Sequence, residues 1–170
     1  MILVDKEIKD LVSKNGLIVE GFDLSNLGSV SYDLEIDKII AFADESSVEH
    51  TNYDLSNGEY VIVKTKEKIQ MPSNLLGKIE EKNSIIRMGL IVSGPCYQPG
   101  HETYIYLRVF NISKRKIRLE KGFKIAQIMF EELKAVPEVT YDQVVTASFN
   151  NEEEYRGFGK YEQEYRHKII

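Results

Sequence analysis

The segment EKNSIIRMG, residues 81–89, places two cations and a hydroxyl close together just before a glycine. Lys82 and Arg87 can neutralise phosphate oxygens, and the Ser84 hydroxyl can donate a hydrogen bond to them. If this segment is helical, Ser84 and Arg87 lie on one face, because they are three positions apart. The residue types and their spacing indicate a phosphate-binding segment. The alternative is that the cations are ordinary solvated charges.

The segment TYIYLRVFN, residues 103–111, alternates as a β-strand with one aliphatic face. The opposite face carries one charge, Arg108, among three aromatic side chains, which are Tyr104, Tyr106 and Phe110. This arginine is either a solvated edge charge or a functional residue. We expect its aromatic neighbours to hold it by cation–π contact, worth on the order of 0.5–2 kcal/mol.

The turn YQPGHE, residues 97–102, precedes that strand and contributes two further candidates for proton transfer. His101 and Glu102 have the chemistry of a base and of an acid that orients it. Because adjacent residues of a strand point to opposite faces, His101 is expected to be a surface residue instead. With three histidines in the chain, no His-rich metal cluster is expected.

The composition is that of a globular protein with one domain, residues 1–170. Hydrophobic residues make up 42% of the chain and charged residues 29%, so the chain can bury a sizeable core. The net charge of −5 argues against a general nucleic-acid-binding surface, although it is compatible with a small basic pocket. The single cysteine, Cys96, excludes an intrachain disulfide and a CxxC zinc site.

No segment of the sequence is typical of export or membrane insertion. The N-terminal stretch reaches a charge at Asp5 before any sizeable apolar run, so no signal peptide is expected. No apolar stretch approaches the roughly 20 residues of a membrane span. We therefore expect a cytoplasmic protein without a membrane or nucleic-acid partner.

The candidate residues must be positioned by a mainly β domain. A short amphipathic helix is predicted from Asp5, and Gly16 ends it. Beyond it the pattern changes to short β-type runs, with turn signals at 56–58, 98–100 and 120–122. Many short strands with regular turns predict a sandwich, a jelly roll or a barrel-like β domain.

From Phe149 onward the sequence is charged, aromatic and glycine-bearing, without strand alternation. One interpretation is a tail, residues 149–170, that pairs with a neighbour or frays in solvent. The other is an arm that closes over a ligand, because Arg156, a glycine hinge and Phe158 suit a phosphate and a base.

The order of the segments is more specific than any one of them. The chain resembles the dCTP deaminase and trimeric dUTPase superfamily over nearly its whole length, through the successive segments SVSYDLEI, EKNSIIRMG, PCYQPGHETYIYLRVFN, EKGFKIAQIMFEEL and a glycine-aromatic tail. The deaminase branch in particular is resembled by MILVDKEIKDLVSKNG and by TKEKIQMPSNLLGKIEEKNS.

The resemblance implies a distorted jelly-roll or β-barrel-like fold of the dUTPase type and a homotrimer whose active sites lie between subunits. It implies a deoxypyrimidine nucleoside triphosphate as substrate, with Mg²⁺ bound through the triphosphate. The implied activity is that of a dUTP diphosphatase, which gives dUMP and pyrophosphate, or of a dCTP deaminase, which gives dUTP and ammonia. The alternative is a non-catalytic nucleotide-binding paralogue. A purely structural trimer is the least favoured reading.

The resemblance also assigns binding residues. The family's phosphate-binding motif R-S-S-L-x-R-x-G falls on residues 82–89, where Ser84 and Arg87 match it. Lys82 keeps the charge of the family's arginine without its bidentate fork, and Asn83 replaces a serine. The resemblance further implies residues that contact the base or sugar of the nucleotide or that belong to the arm, namely Tyr97, Gln127, Tyr155, Arg156, Phe158, Lys160, Tyr161 and Gln163.

Two catalytic positions depart from the family. The position of the deaminase's catalytic glutamate is Arg108, and the position of an acidic residue in the preceding turn is Gln98. Neither side chain can take a proton from water at neutral pH. Removing a positioned general base typically costs about 10²–10⁴ in rate. If the protein is an enzyme, we expect Glu102 or Asp33 to supply the carboxylate.

Overall fold

The computed structural model describes residues 1–14, 16–43, 46–159 and 168. Over these residues the chain forms two α-helices and ten β-strands, in the order α1 (Asp5–Ser13), β1 (Leu17–Glu20), β2 (Tyr32–Ala43), β3 (Ser46–His50), β4 (Asn52–Leu55), β5 (Tyr60–Gln70), β6 (Leu75–Glu80), α2 (Asn83–Met88), β7 (Leu90–Ser93), β8 (Glu102–Asn111), β9 (Ile117–Glu120) and β10 (Lys124–Glu132). Among the described residues, no helix has the length and apolarity that crossing a membrane requires.

Eight of these strands form one antiparallel sheet that nearly closes on itself. Its main path runs β6-β10-β2-β5-β8-β7, with β1 added on β5 and β3 added on β2, while β4 and β9 form a separate two-stranded ribbon. The two ends of the path, β6 and β7, are consecutive in the chain and are joined by α2. The mainly β, barrel-like fold predicted from the sequence is confirmed.

The core lies on the inner face of this sheet. The alternation predicted for β8 is confirmed, because Ile105, Leu107 and Val109 are fully buried. Helix α1, also predicted, packs on the core through Ile8. Burying one such aliphatic side chain stabilises the fold by about 1.5–3 kcal/mol.

Strands β2 and β5 are longer than the sequence pattern indicates, because each contains an irregularity where the pairing register shifts. The shifts fall between Ile36 and Lys38 in β2 and between Lys64 and Lys68 in β5. A bulge changes which face successive side chains occupy, so each strand reads in sequence as two shorter runs. Strands β3 and β4 have no clear apolar alternation, since most of their side chains are exposed.

A buried carboxyl lies at the irregularity of β5. Glu67 is fully buried, and its carboxylate accepts a hydrogen bond from the backbone N–H of Glu35 at 3.2 Å. Lys66, the cation next to it, instead pairs with the Glu35 carboxylate at 3.4 Å. Burial raises the pKa of Glu67 to about 7. The folded protein therefore holds a proton on Glu67 at pH values at which the unfolded chain has lost it.

Replacing Glu67 by Gln is expected to stabilise the protein above pH 7. Below the ordinary pKa of 4.5, both states are protonated and Glu67 costs nothing. As the pH rises from there to about 7, the parent loses stability by up to about 3 kcal/mol, because ionising a buried acid is unfavourable. The variant lacks this loss, which chemical denaturation at pH 4.5 and pH 8 measures. Glu80→Gln, at an exposed position, is the matched control, and an equal pH dependence in parent and Glu67→Gln contradicts the assignment.

Candidate functional site

The predicted phosphate-binding segment forms a short helix, α2, at the junction of β6 and β7. The condition considered for the sequence, that this segment is helical, is therefore met, and Ser84 and Arg87 are both exposed. It ends at Gly89, which has φ +80° and lies so close to Ser113 that an added Cβ would stand 2.7 Å from the Ser113 Cβ. Only glycine meets both constraints without strain. The Arg87 Nε donates to Asn83 Oδ1 at 3.0 Å, so the guanidinium lies along the exposed side of the helix.

Lys82, just before α2, is tied to the neighbouring strands by charge. Its ammonium group pairs with Asp33 on β2, and the other oxygen of Asp33 lies 3.9 Å from Lys124 Nζ on β10. Asp33 was one of the two acids expected to replace the missing base. Its carboxylate is engaged by two ammonium groups, those of Lys82 and Lys124.

Gln127 belongs to the same group of residues. Its Nε2 donates to the Glu81 carbonyl at 3.3 Å, and its Oε1 accepts from the Ser31 hydroxyl at 2.8 Å. Glu81 in turn accepts a hydrogen bond from Val92 N at 2.7 Å. Gln127 therefore links β10 to the residue that precedes the predicted phosphate-binding segment.

Arg108 lies on the outer face of β8, opposite Ile62 of β5 and Ser93 of β7. Its guanidinium is exposed and donates to the Ser93 hydroxyl at 3.2 Å. The expectation of a cation–π contact was wrong for this residue. Within the described part of the chain, the cation–π contact on this face is made by Lys64, whose Nζ lies 4.0 Å from the centre of the Tyr104 ring.

The segment after Thr140 folds back across the start of β8 in the same chain. Asn150 accepts a hydrogen bond from Glu102 N at 2.9 Å, and Asn151 N donates to the Glu102 carbonyl at 2.6 Å. Glu153 extends the contact, because its carbonyl accepts from Lys64 and its carboxylate lies 2.8 Å from Lys68 Nζ. The described part of the arm, residues 149–159, is thus docked on the sheet.

Docking of the arm buries His101, contrary to the expectation of a surface residue. The side chain is 6% exposed, and its Nε2 hydrogen bonds with the Phe149 carbonyl at 2.9 Å. Burial lowers the pKa of His101, so the imidazole is neutral at pH 7. The Glu102 carboxylate lies 3.1 Å from Lys68 Nζ, so this second expected base is also ion-paired.

The remaining arm residues have distinct surroundings. Arg156 donates to three carbonyls, that of Ser148 just before the arm at 3.1 Å and those of Asn150 and Asn151 within it at 3.0 and 2.6 Å. The Tyr155 ring lies 5.9 Å from that of Tyr106, and Phe158 is exposed at the end of the described arm. Lys160, Tyr161 and Gln163 lie outside the described residues.

A cavity of about 310 Å³ lies between the arm and the outer face of β8. It brings together three residues of the predicted site, namely Tyr97, Gln98 and Tyr155. Tyr106 also lines it, and the centre of its ring lies 5.9 Å from that of Tyr155. The sequence did not identify Glu152, which also lines this cavity and is 5% exposed. Burial raises the pKa of Glu152, and its Oε1 accepts from Arg156 N at 2.8 Å.

The predicted residues thus form two groups in one chain. The group around α2 is tied to β2 and β10 and, through Glu81 and Val92, to β7. The group around the cavity is tied to β5, β7 and the arm.

The chain is similar to known proteins along most of its length. A family model described as dCTP deaminase-like matches residues 2–133. A protein of Hydrogenobaculum sp. named dCTP deaminase, dUMP-forming, is 33% identical over 151 residues, which cover 81% of this chain and 85% of that protein. A protein of the same name from Aquifex aeolicus is 30% identical over 156 residues, which cover 83% and 87%.

Solved structures agree in fold. The 2′-deoxycytidine 5′-triphosphate deaminase from Agrobacterium tumefaciens superposes with a TM-score of 0.65 at 19% identity, over 77% of this chain and 47% of that longer chain. The Staphylococcus bacteriophage 80alpha dUTPase with dUPNHPP superposes with a TM-score of 0.51 at 16% identity, over 95% and 93% of the two chains. By the family model and by its curated relatives, the chain belongs to the dCTP deaminase-like family.

Proposed function

We propose that this protein is an enzyme of deoxypyrimidine nucleotide metabolism that converts dCTP to dUMP. The observation that carries the proposal is the exposed face of α2, where Ser84 and Arg87 stand beside Lys82 in a chain whose relatives are named for this reaction. The conversion requires two hydrolytic steps. Water replaces the amino group at C4 of cytosine and releases ammonia, and water cleaves the triphosphate and releases pyrophosphate.

The charges around α2 suit a triphosphate. Lys82 and Lys124 share one carboxylate, Asp33, so two cations already converge where an anion lies. A phosphate group would compete with Asp33 for these ammonium groups, while Ser84 and Arg87 would donate from the exposed face of the helix. These contacts support a site in which a phosphate group replaces the Asp33 carboxylate at the ammonium groups of Lys82 and Lys124.

The donor set also fits Mg²⁺ bound through the triphosphate. Mg²⁺ prefers oxygen ligands and is usually bound by one or two carboxylates together with substrate phosphates. Asp33, once released from Lys82, would supply such an oxygen beside the phosphates. When bound there, the ion would neutralise part of the phosphate charge.

We further propose a homotrimer in which the α2 group of one subunit meets the cavity of the next. The resemblance implies active sites that lie between subunits, and such a site would combine the α2 group of one chain with the cavity of its neighbour. The outer face of the sheet also carries a row of apolar side chains that includes Ile91, Phe110, Tyr60 and Phe42 on neighbouring strands. Three of them are 38%, 50% and 39% exposed, namely Ile91, Tyr60 and Phe42, which is the kind of surface that subunit contact covers.

Incubation with dCTP and Mg²⁺ tests the activity directly. We expect ammonia, pyrophosphate and dUMP, which an ammonia assay, a pyrophosphate assay and chromatography measure. Ammonia with dUTP as the product would identify a deaminase that stops at that step, and pyrophosphate from added dUTP alone would identify a diphosphatase. Tight nucleotide binding without any of these products would contradict the proposal and favour a non-catalytic paralogue.

Changing Arg87 to Ala is expected to weaken triphosphate binding by about tenfold, because a charge-assisted hydrogen bond contributes roughly 1.5–3 kcal/mol. Calorimetry with the analogue dUpNHpp measures the affinity without turnover. Arg118→Ala is the matched control, since Arg118 is also exposed but pairs with Asp54 and Glu120 on the β4–β9 ribbon. Equal affinities for Arg87→Ala and the parent would remove Arg87 from the site.

Light scattering at micromolar concentration is expected to give three times the chain mass of 19.6 kDa. Tyr60→Lys places a charge in the apolar row and is expected to dissociate the trimer, because an unpaired charge in an interface is costly. Val136→Lys, at a site that is 58% exposed outside this row, is expected to leave the mass unchanged. A monomeric parent protein would refute the assembly.

A further inference from the structure

Deamination needs a group that accepts a proton from water, and the two positions that hold acids in the family cannot supply it. Gln98 does not titrate, and Arg108 remains charged. The acids first considered in their place, Glu102 and Asp33, are engaged by lysine ammonium groups. A competent base would be a carboxylate that reaches the cavity and is not held in a salt bridge.

Glu152 meets this description. It is one of three consecutive glutamates, and the other two point outward, where Glu153 lies 2.8 Å from Lys68 Nζ and Glu154 lies 3.2 Å from Lys38 Nζ. Glu152 instead points inward and is 5% exposed. Its Oε1 accepts the hydrogen bond from Arg156 N at 2.8 Å, so the backbone of the arm fixes the carboxyl group.

The carboxyl of Glu152 shares the cavity with residues of the predicted site. Tyr97 and Gln98 line the same space, as does Tyr106 of β8. The charge of Glu152 also acts on the rings there, since it contributes, after burial, to raising the pKa values of Tyr97 and Tyr106. Glu152 is therefore the buried acid of this cavity.

We propose that Glu152, an acid of the arm, is the general base that activates the water attacking C4 of the cytosine ring. This role rests on the proposed conversion of dCTP. Packing alone does not explain why Glu152 is buried, because burying an ionisable group without a salt bridge costs stability.

Glu152 alone can carry both protons of the attacking water, the first to ring N3 and the second to the amino nitrogen. As the water oxygen bonds to C4, Glu152 takes one water proton and passes it to ring N3, which receives the electron pair of the C4–N3 double bond. Glu152 then takes the second proton from the new C4 hydroxyl and passes it to the amino nitrogen. The C4–N bond breaks, ammonia leaves with that electron pair, the C4 carbonyl forms, and the carboxylate is regenerated.

The electrostatic surroundings suit this task. Burial raises the pKa of Glu152, while the N–H and charge of Arg156 on the arm and the charge of Lys64 on β5 oppose the rise. The other titratable groups that line the cavity are Cys96, the neutral His101 and five tyrosines, namely Tyr97, Tyr104, Tyr106, Tyr141 and Tyr155. A base works best when its pKa approaches the working pH, so a raised pKa favours this role over that of an exposed carboxylate.

Three variants test the proposal, with ammonia release from dCTP and Mg²⁺ as the readout. Glu152→Gln keeps the size of the side chain and an acceptor for Arg156 N, and kcat is expected to fall about 10²–10⁴-fold with KM within about threefold. Glu154→Gln removes an outward acid of the same run and is expected to stay within about twofold of the parent. Glu152→Asp keeps a carboxylate and is expected to recover part of the lost kcat.

The pH profile supplies a second readout. The carboxylate must be ionised to act, so kcat of the parent is expected to fall on the acid side with a midpoint clearly above 4.5, the ordinary pKa of a glutamate. Any residual kcat of Glu152→Gln is expected not to show this fall at low pH. If that variant does not fold in a melting experiment, the parent profile decides, and a midpoint at or below 4.5 overturns the proposal.

These experiments distinguish a failure of the role proposed for Glu152 from a failure of the proposed deamination. A parent that releases ammonia together with an equally active, folded Glu152→Gln overturns the role of Glu152 and leaves the proposed function standing. A parent that releases no ammonia from dCTP overturns the proposed deamination, and the role of Glu152 falls with it. A loss confined to Glu152→Gln, with Glu154→Gln active, supports both.

Discussion

Two hydrogen bonds at Glu102, the first residue of β8, set the position of the arm and with it the cavity. Asn150 accepts from the backbone N–H of Glu102, and Asn151 donates to its carbonyl. Asn151 has φ +54°, a left-handed conformation that asparagine tolerates better than most residues. The chain turns there, and the next residue, Glu152, is directed inward while Glu153 and Glu154 face the lysines. The pair Asn150–Asn151 therefore determines which glutamate is buried.

Docking of the arm depends little on its ion pairs. Those of Glu153 and Glu154 are partly exposed and contribute about 0–1 kcal/mol each. Burial of Glu152 opposes docking, because the charged carboxylate loses its hydration. The backbone hydrogen bonds at Glu102 and the packing of the Tyr155 ring near that of Tyr106 act in the opposite direction.

The sequence predicted those features that depend on a regular period. The faces of β8 and the helix α1 follow from alternation and spacing, and the structure confirms them. The helical form of the segment around Ser84 and Arg87, which the sequence analysis considered only as a condition, is observed as α2. The length of β2 and β5 could not be predicted, because a bulge interrupts the alternation on which the prediction depends.

Burial caused by distant contacts could not be predicted either. His101 is covered by Phe149, which is 48 residues away in sequence. Glu152 is one of three adjacent glutamates that look alike in the sequence, and only the turn at Asn151 distinguishes them. The bond of Gln127 to the Glu81 carbonyl likewise joins residues that are 46 positions apart in sequence.

If the general base lies on the arm instead of on β8, proton abstraction from water requires the arm to be docked. An acid on a central strand is present in the cavity whether or not the arm is docked. Glu152 is present only when the arm is docked, so proton abstraction and exclusion of bulk water would occur in the same state. Strand β8 then has no need of an acid at position 108, where the exposed guanidinium of Arg108 bonds only to Ser93 among the described residues. An arginine at position 108, where the resemblance implies an acid, and a buried acid on the arm are therefore consistent parts of one arrangement, in which the docked arm completes the proposed site.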